Sequence, residues 1–215
     1  MNQDSFEIQK PLTTSRKVLN LYKNNKILII SISFIIFFLF VIFNLYLSKK
    51  ENENLIFANE YVQAKVYVEN NERDKALKIL NKLVLDSKST YSVLAFFLIL
   101  NENLIDDKEQ LVKMFDHILN KNKFDTEIKN LIIFKKALFQ SDFTNEEKLL
   151  STLKPLINSE SIWKPHALLL LGDYFVQRKE FLKAKEFYLQ VLSIKNIDQE
   201  FYKTANSKLA LIKNE

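Results

Sequence analysis

The sequence predicts an all-α protein: one N-terminal transmembrane helix, then about four pairs of shorter helices closed by a capping helix. Three observations carry that expectation. The whole stretch between Lys26 and Lys49 bears no formal charge. From residue 52 onward, apolar residues recur at spacings of three and four, with no sustained alternation. The chain of 215 residues holds one Gly and three Pro, too few for the φ > 0 turns that recur in hairpin-rich sheets.

The segments are expected at 1–26 (a basic cytoplasmic tail), 27–48 (the transmembrane helix) and 49–215 (the helical domain). At 1.5 Å per residue, the uncharged run from Ile27 to Ser48 covers roughly 30 Å, the thickness of a bilayer's hydrocarbon layer. Buried core helices seldom run so long without a charge. A cleaved signal peptide would start nearer Met1 and end in small residues, whereas this run leaves through Asn44-Leu-Tyr-Leu-Ser-Lys-Lys50, so an uncleaved signal anchor is expected. Before the run stand Lys10, Arg16, Lys17, Lys23 and Lys26 against Asp4 and Glu7; after it, Lys49 and Lys50 are followed by Glu51 and Glu53. The excess of basic residues predicts a cytoplasmic N-terminus, with residues 48–215 on the far side of the membrane.

The tail accounts for three of the five net positive charges. The basic balance is therefore chiefly a topology signal. With 28 Lys to 3 Arg, the chain is also poor in the guanidinium forks that read phosphates and bases, and nucleic acid is not an expected partner.

Beyond the membrane segment the periodicity predicts helices over 52–70, 73–86, 89–104, 107–121, 125–141, 145–158, 163–178, 181–194 and 198–213. The short polar connections predict antiparallel neighbours. Asp74, Ser161 and Thr144 are the expected helix starts, Thr144 with Glu147 in capping-box spacing. Pro165 falls in a first turn, where its missing N–H costs least. Pro155 is expected to kink or shorten its helix.

Ala76 follows Ala64 at the same interval at which Ala184 follows Gly172, and a single offset of 108 in the numbering carries the first pair onto the second. At that offset Tyr67 meets Phe175, Arg73 meets Phe181, Leu80 meets Tyr188 and Leu83 meets Val191. The offset is three times 36, so four helix pairs fit, with the last helix as a cap. Small residues let paired helices approach, and large ones nearby fill the groove beside them.

These residues resemble the tetratricopeptide repeat. Leu168, Leu171, Gly172, Phe175, Phe181, Ala184 and Tyr188 match its signature best; Val191 replaces the final Ala and Asn196 the terminal Pro. Residues 57–90 match more loosely through Ala64, Tyr67, Ala76, Leu80 and Leu83. The resemblance implies an α-solenoid. The layout of tail, span and repeat, with Leu153-Lys-Pro-Leu156 and Trp163-Lys-Pro-His-Ala-Leu-Leu-Leu-Leu-Gly172, is similar to the bacterial ancillary SecYEG translocon subunit family, alphaproteobacterial members in particular. That resemblance implies a single-pass inner-membrane protein whose partners are translocon subunits or periplasmic chaperones.

Residue chemistry favours binding over catalysis. One Gly cannot build a P-loop or a dinucleotide fingerprint, and zero Cys removes disulfides, thiolate metal sites and thiol catalysis. His117 and His166 are the only imidazoles. His117 follows Asp116 at the edge of a polar helix face, where a solvated role is expected. Asp106-Asp107 and Glu146-Glu147 sit at helix starts, where negative charge suits the dipole. Neither catalytic residues, a metal site, a cofactor nor a small-molecule substrate is expected. Trp163 is expected to staple its helix to the preceding pair. The repeat resemblance implies a concave face bearing His166, Leu169, Asp173, Val176 and Gln177 in the last pair, and Ala58, Tyr61, Val62, Lys65 and Val68 in the first. Two other readings stand: a tetratricopeptide receptor or assembly factor facing the cytosol, and, more remotely, an enzyme.

Overall fold

A computed structural model describes residues 26–86 and 90–213. The tail expected over 1–26 lies outside the described residues, save for Lys26. Among the described residues all regular structure is helical: α1 (Lys26–Glu69), α2 (Arg73–Asp86), α3 (Thr90–Asn101), α4 (Lys108–Lys121), α5 (Thr126–Gln140), α6 (Glu146–Ile157), α7 (Lys164–Gln177), α8 (Phe181–Leu192) and α9 (Gln199–Ile212). The chain divides into two compact units between Ile56 and Phe57, within α1.

The first unit carries the uncharged run. It is a helix long and apolar enough to cross a membrane, and its described side chains are exposed, Ile27 at 83% and Phe40 at 64%. The polar Asn44 side chain bonds within the helix, its amide donating to the Phe40 carbonyl at 2.8 Å.

The second unit buries its core between helices adjacent in sequence. Ala64 from α1 joins Leu80, Leu83 and Val84 of α2, Phe96 of α3 and Phe115 and Ile118 of α4 in one cluster. Ala137, Leu149, Leu153, Leu171, Phe175, Ala184 and Tyr188 form a second across α5–α8. Leu168, Val191 and Ala205 tie α9 to α7 and α8. Each helix from α2 to α9 packs on the next in sequence, and α2 also touches α4, α5 touches α7, and α7 touches α9. The weakest link is α3–α4, for α3 packs chiefly on α2. Its apolar residues surround the helix, Ala95, Phe96 and Ile99 fully buried, and its buried Ser92 hydroxyl donates back to the Val84 carbonyl at 3.1 Å.

Two turns 108 residues apart in the numbering close alike in the backbone. Asn71 and Lys179 both take left-handed φ, 65° and 62°. In each turn the left-handed residue donates to the carbonyl three back, and its successor to the carbonyl five back: Asn71 to Val68 and Glu72 to Tyr67; Lys179 to Val176 and Glu180 to Phe175. These are Schellman closures, and a third ends α3 at Asn103 (φ 47°), short of the 104 the periodicity predicts. The next turn begins identically: Glu72 accepts from the Ala76 amide and Glu180 from the Ala184 amide, both at 3.1 Å. Lys75 pairs with Glu72 and lies 5.4 Å over the Tyr67 ring; Lys183 pairs with Glu180 and lies 5.0 Å over Phe175.

Other helix ends depart from expectation. Asn145, not Thr144, caps α6, its side chain accepting from the Lys148 amide at 2.9 Å. Thr144 instead offers its carbonyl to Tyr174 and Arg178. Ser161 closes a turn ahead of α7, its hydroxyl accepting from the Trp163 amide at 3.1 Å, and Trp163 holds the cap position. Pro165 lies in the first turn of α7 as expected, while α6 runs through Pro155 and stops at Ile157. Asp107 caps α4 through the Glu109 and Gln110 amides.

Candidate interaction surface

The α7 residues expected on a binding face do not share one environment. His166 is half-buried within an aromatic box, its ring centroid 4.9 Å from Trp163, 5.5 Å from Phe134 and 4.7 Å from Phe201. Its Nδ1 is buried without a hydrogen-bond partner. Trp163 stacks on Phe134 of α5 at 5.6 Å, the staple expected of it. Leu169 packs against the cluster that Ala205 of α9 completes, and Val176 against the α5–α8 core beside Leu209 and Ile212 of α9. Asp173 is engaged as well: the same carboxylate oxygen accepts from the Tyr188 hydroxyl at 2.7 Å and from Lys208 Nζ of α9 at 2.6 Å. Of the five, only Gln177 is fully exposed. The reason is the capping helix. α9 lies along α7 and takes as packing partners the residues that spacing alone assigns to a surface.

The α1 set divides differently. Tyr61 turns inward and packs on the first core cluster, its ring 6.2 Å from Tyr91, while Val62 and Lys65 are exposed. Ala58 and Val68 are half-buried. Partial burial raises the Tyr61 hydroxyl above its ordinary pKa. Glu60 holds Lys82 at 2.5 Å and so ties α1 to α2, while its other carboxylate oxygen is buried without a partner.

Most of the residues that carry the repeat resemblance are buried. Ala64, Ala76, Leu171 and Ala184 are fully buried, with Phe175 and Tyr188 at 1%. A Cβ on Gly172 would stand 2.1 Å from Tyr188 Cε1, so at this position only hydrogen fits under the ring. Burial, then the bond to Asp173, pushes the Tyr188 hydroxyl far above its ordinary pKa. Lys183 is likewise pushed up, by hydrogen bonds to Glu146 and Glu180. Both groups are thereby held in their ordinary protonation states, the opposite of what proton transfer near neutral pH requires.

His117 is half-buried, with Nε2 3.4 Å from the Leu85 carbonyl. Among the described residues no three His, Cys, Asp or Glu side chains converge as a metal site would need. The exposed apolar surface lies elsewhere. On α1, Leu55, Val62 and Val66 are 57%, 58% and 46% exposed; on α8, Leu182 is 81% exposed. Val62 is among the residues expected on a concave face, whereas Leu55 and Val66, seven residues before it and four after, escape a search for repeat positions. No family model, curated protein or solved structure matches the chain.

Proposed function

We propose that the chain is a non-enzymatic, membrane-anchored scaffold, its span holding a tetratricopeptide-like α-solenoid on the periplasmic side of a bacterial inner membrane. The observation that carries this reading is the pairing of two features in one chain. One is an apolar helix with no burial in the protein's own core. The other is a helical unit in which the turn after α1 and the turn between α7 and α8 share the same closing backbone bonds and a lysine–glutamate pair, at places related by the sequence offset. A helix with that much exposed hydrocarbon needs lipid around it. A helical unit tethered there meets partners in the same membrane at raised effective concentration.

The resemblance of Trp163–Gly172 and its surroundings to the ancillary translocon subunit family selects the partners: translocon subunits and the chaperones that receive emerging chains. The charge excess before the span supports the periplasmic side. A tetratricopeptide receptor facing the cytosol needs the reverse orientation.

Two experiments test the proposal. Protease added to spheroplasts should degrade residues 57–213 while a cytoplasmic control protein survives; protection of that region overturns the topology. A photo-reactive residue at the exposed Gln177, activated in intact membranes, should capture translocon or chaperone peptides. Capture of unrelated soluble proteins alone would sink the partner assignment.

A further inference from the structure

Within the second unit a cleft of about 370 Å³ lies between α2 and α4, inside the range of ordinary ligand pockets, roughly 300–1,000 Å³. Asn81 and the exposed Leu85 come from α2; Gln110, Lys113, His117 and the buried Met114 come from α4. His117 Nε2 stands 3.4 Å from the Leu85 carbonyl, one of those left over where a helix ends. The other polar groups are uncommitted: among the described residues, the carboxamides of Asn81 and Gln110 and the ammonium of Lys113 have no partner. No described carboxylate lines the cleft either, and Asp116, the neighbour of His117 in sequence, turns to Lys136 of α5 at 2.5 Å. The lining thus combines an uncompensated positive charge, two free carboxamides and an apolar strip from Leu85 to Met114.

We infer that this cleft binds a short extended segment of a partner polypeptide, one that sets an acidic side chain beside an apolar one. The inference rests on the reading of the chain as a protein-binding scaffold, but not on which side of the membrane it faces. A carboxamide offers donors and an acceptor together, as the alternating N–H and C=O groups of an extended backbone require, and each of the two helices supplies one. Lys113 is the counter-charge for a carboxylate, and Leu85 and Met114 are the contact for an apolar side chain. From Gln110 to His117 the α4 side advances seven residues, about 10 Å at the helical rise, which matches about three residues of extended chain. An inorganic anion would use Lys113 and leave the apolar strip bare. A purely apolar ligand would cover the carboxamides and the ammonium without giving them partners.

The chain holds two methionines, Met1 and Met114, so a methyl-13C-methionine label places one NMR reporter in the cleft and leaves the other as a reference. The full-length protein in detergent is titrated with an end-blocked peptide whose core is Asp-Leu-Asp between Gly-Ser flanks, and with its Lys-Leu-Lys counterpart. The acidic peptide should shift the Met114 methyl saturably, leave Met1 in place, and bind more tightly than the basic one. Lys113→Glu should reverse that order, weakening the acidic peptide about tenfold, because an exposed ion pair is lost and a repulsion of like size replaces it. Lys203→Glu makes the same charge change at an exposed position on α9 and should leave both affinities unchanged. The double variant Asn81→Ala with Gln110→Ala should weaken the acidic peptide several-fold. Helical circular dichroism of each variant should match the natural chain, since Lys113 and Gln110 are exposed and Asn81 is half-buried. No Met114 shift with the acidic peptide, equal shifts with both peptides, or equal losses in Lys113→Glu and Lys203→Glu would each overturn the inference. A Met114 shift without translocon or chaperone capture at Gln177 contradicts the partner assignment alone, whereas capture without a Met114 shift contradicts the cleft alone.

Discussion

Where α1 meets α2, Ala64 shares a core with Leu80; at the equivalent place in the last pair, where α7 meets α8, Gly172 lies under Tyr188. The turns beside these contacts share the same closing bonds, yet the packed residues differ in opposite directions: the small one is smaller by a methyl group and the large one carries a ring. Lys65, exposed in the first pair, is replaced by Asp173, which binds the new hydroxyl. The two pairs thus share a backbone path and nearly the same summed volume with different side chains. That difference makes the two pairs unequal in fragility, because the last depends on a polar contact the first never had.

The largest effect should come from emptying the α7–α8 groove. Tyr188→Ala removes a 1%-exposed ring and should cost about 3–5 kcal/mol by analogy with other buried aromatics. The unfolding midpoint of the full chain in detergent, followed by helical circular dichroism, reads it. Leu80→Ala in the first pair should cost less, about 2–5 kcal/mol, since a smaller side chain is lost.

Next in size is Gly172→Ala. The added methyl meets Tyr188 Cε1 at 2.1 Å, and overpacking of this kind costs about 1–3 kcal/mol, set against roughly 1 kcal/mol gained in helix propensity. The comparison becomes sharp in the double variant Gly172→Ala with Tyr188→Leu, which recreates the Ala64–Leu80 combination. It should be more stable than the sum of the single changes by more than about 1 kcal/mol, the coupling expected of residues in contact. Additive losses would show that the two pairs do not share one volume rule.

Much of this was readable in the sequence, and the remainder has a physical reason for being hidden. Gly172, Ala184, Ala64 and Ala76 announce close helix approach because only small side chains permit it, and the apolar run announces a helix because nothing interrupts it. The fate of Asp173 was not readable. Spacing places it on one side of α7, but its partner Lys208 lies 35 residues away on α9, and which cap-helix residue lands opposite depends on tertiary packing. His166 enters its box for the same reason, since Phe134, Trp163 and Phe201 come from separate segments. Thr144 and Asn145 are both competent caps, and one residue of register decides between them.

Asp173 offers a smaller, pairwise test. Asp173→Ala leaves the Tyr188 hydroxyl and Lys208 without their shared acceptor and should cost about 1–2 kcal/mol. In a Tyr188→Phe background the same change should cost less, because one of the stranded donors is gone. The equivalent first-pair substitution Lys65→Ala, at an exposed position, should stay within about 0.5 kcal/mol.

The contact also sets a direction in pH. The Tyr188 hydroxyl is raised above its ordinary value of 10.0, so the folded state resists its ionisation more than the unfolded chain does. Its contribution is complete below about pH 10 and is lost as the pH climbs above that, where the unfolded chain releases the proton first. Alkaline titration of the unfolding midpoint should show a steeper fall for the natural chain than for Tyr188→Phe. Equal slopes would mean that the hydroxyl is not desolvated.

A small effect of the opposite sign concerns the turn that the two pairs share. Asn71 and Lys179 occupy the same left-handed position, but Asn tolerates that conformation, through its short polar side chain, better than Lys does. A left-handed non-Gly residue costs roughly 1–2 kcal/mol, and Gly returns part of this as chain entropy, about 0.5–1 kcal/mol. Lys179→Gly should therefore stabilise the last pair by about 0.5–1 kcal/mol, and Asn71→Gly should gain less in the first. Equal gains at both turns would mean that side-chain identity at this position does not distinguish the pairs. A loss at Lys179 would mean that the lysine makes a contribution outweighing its backbone strain.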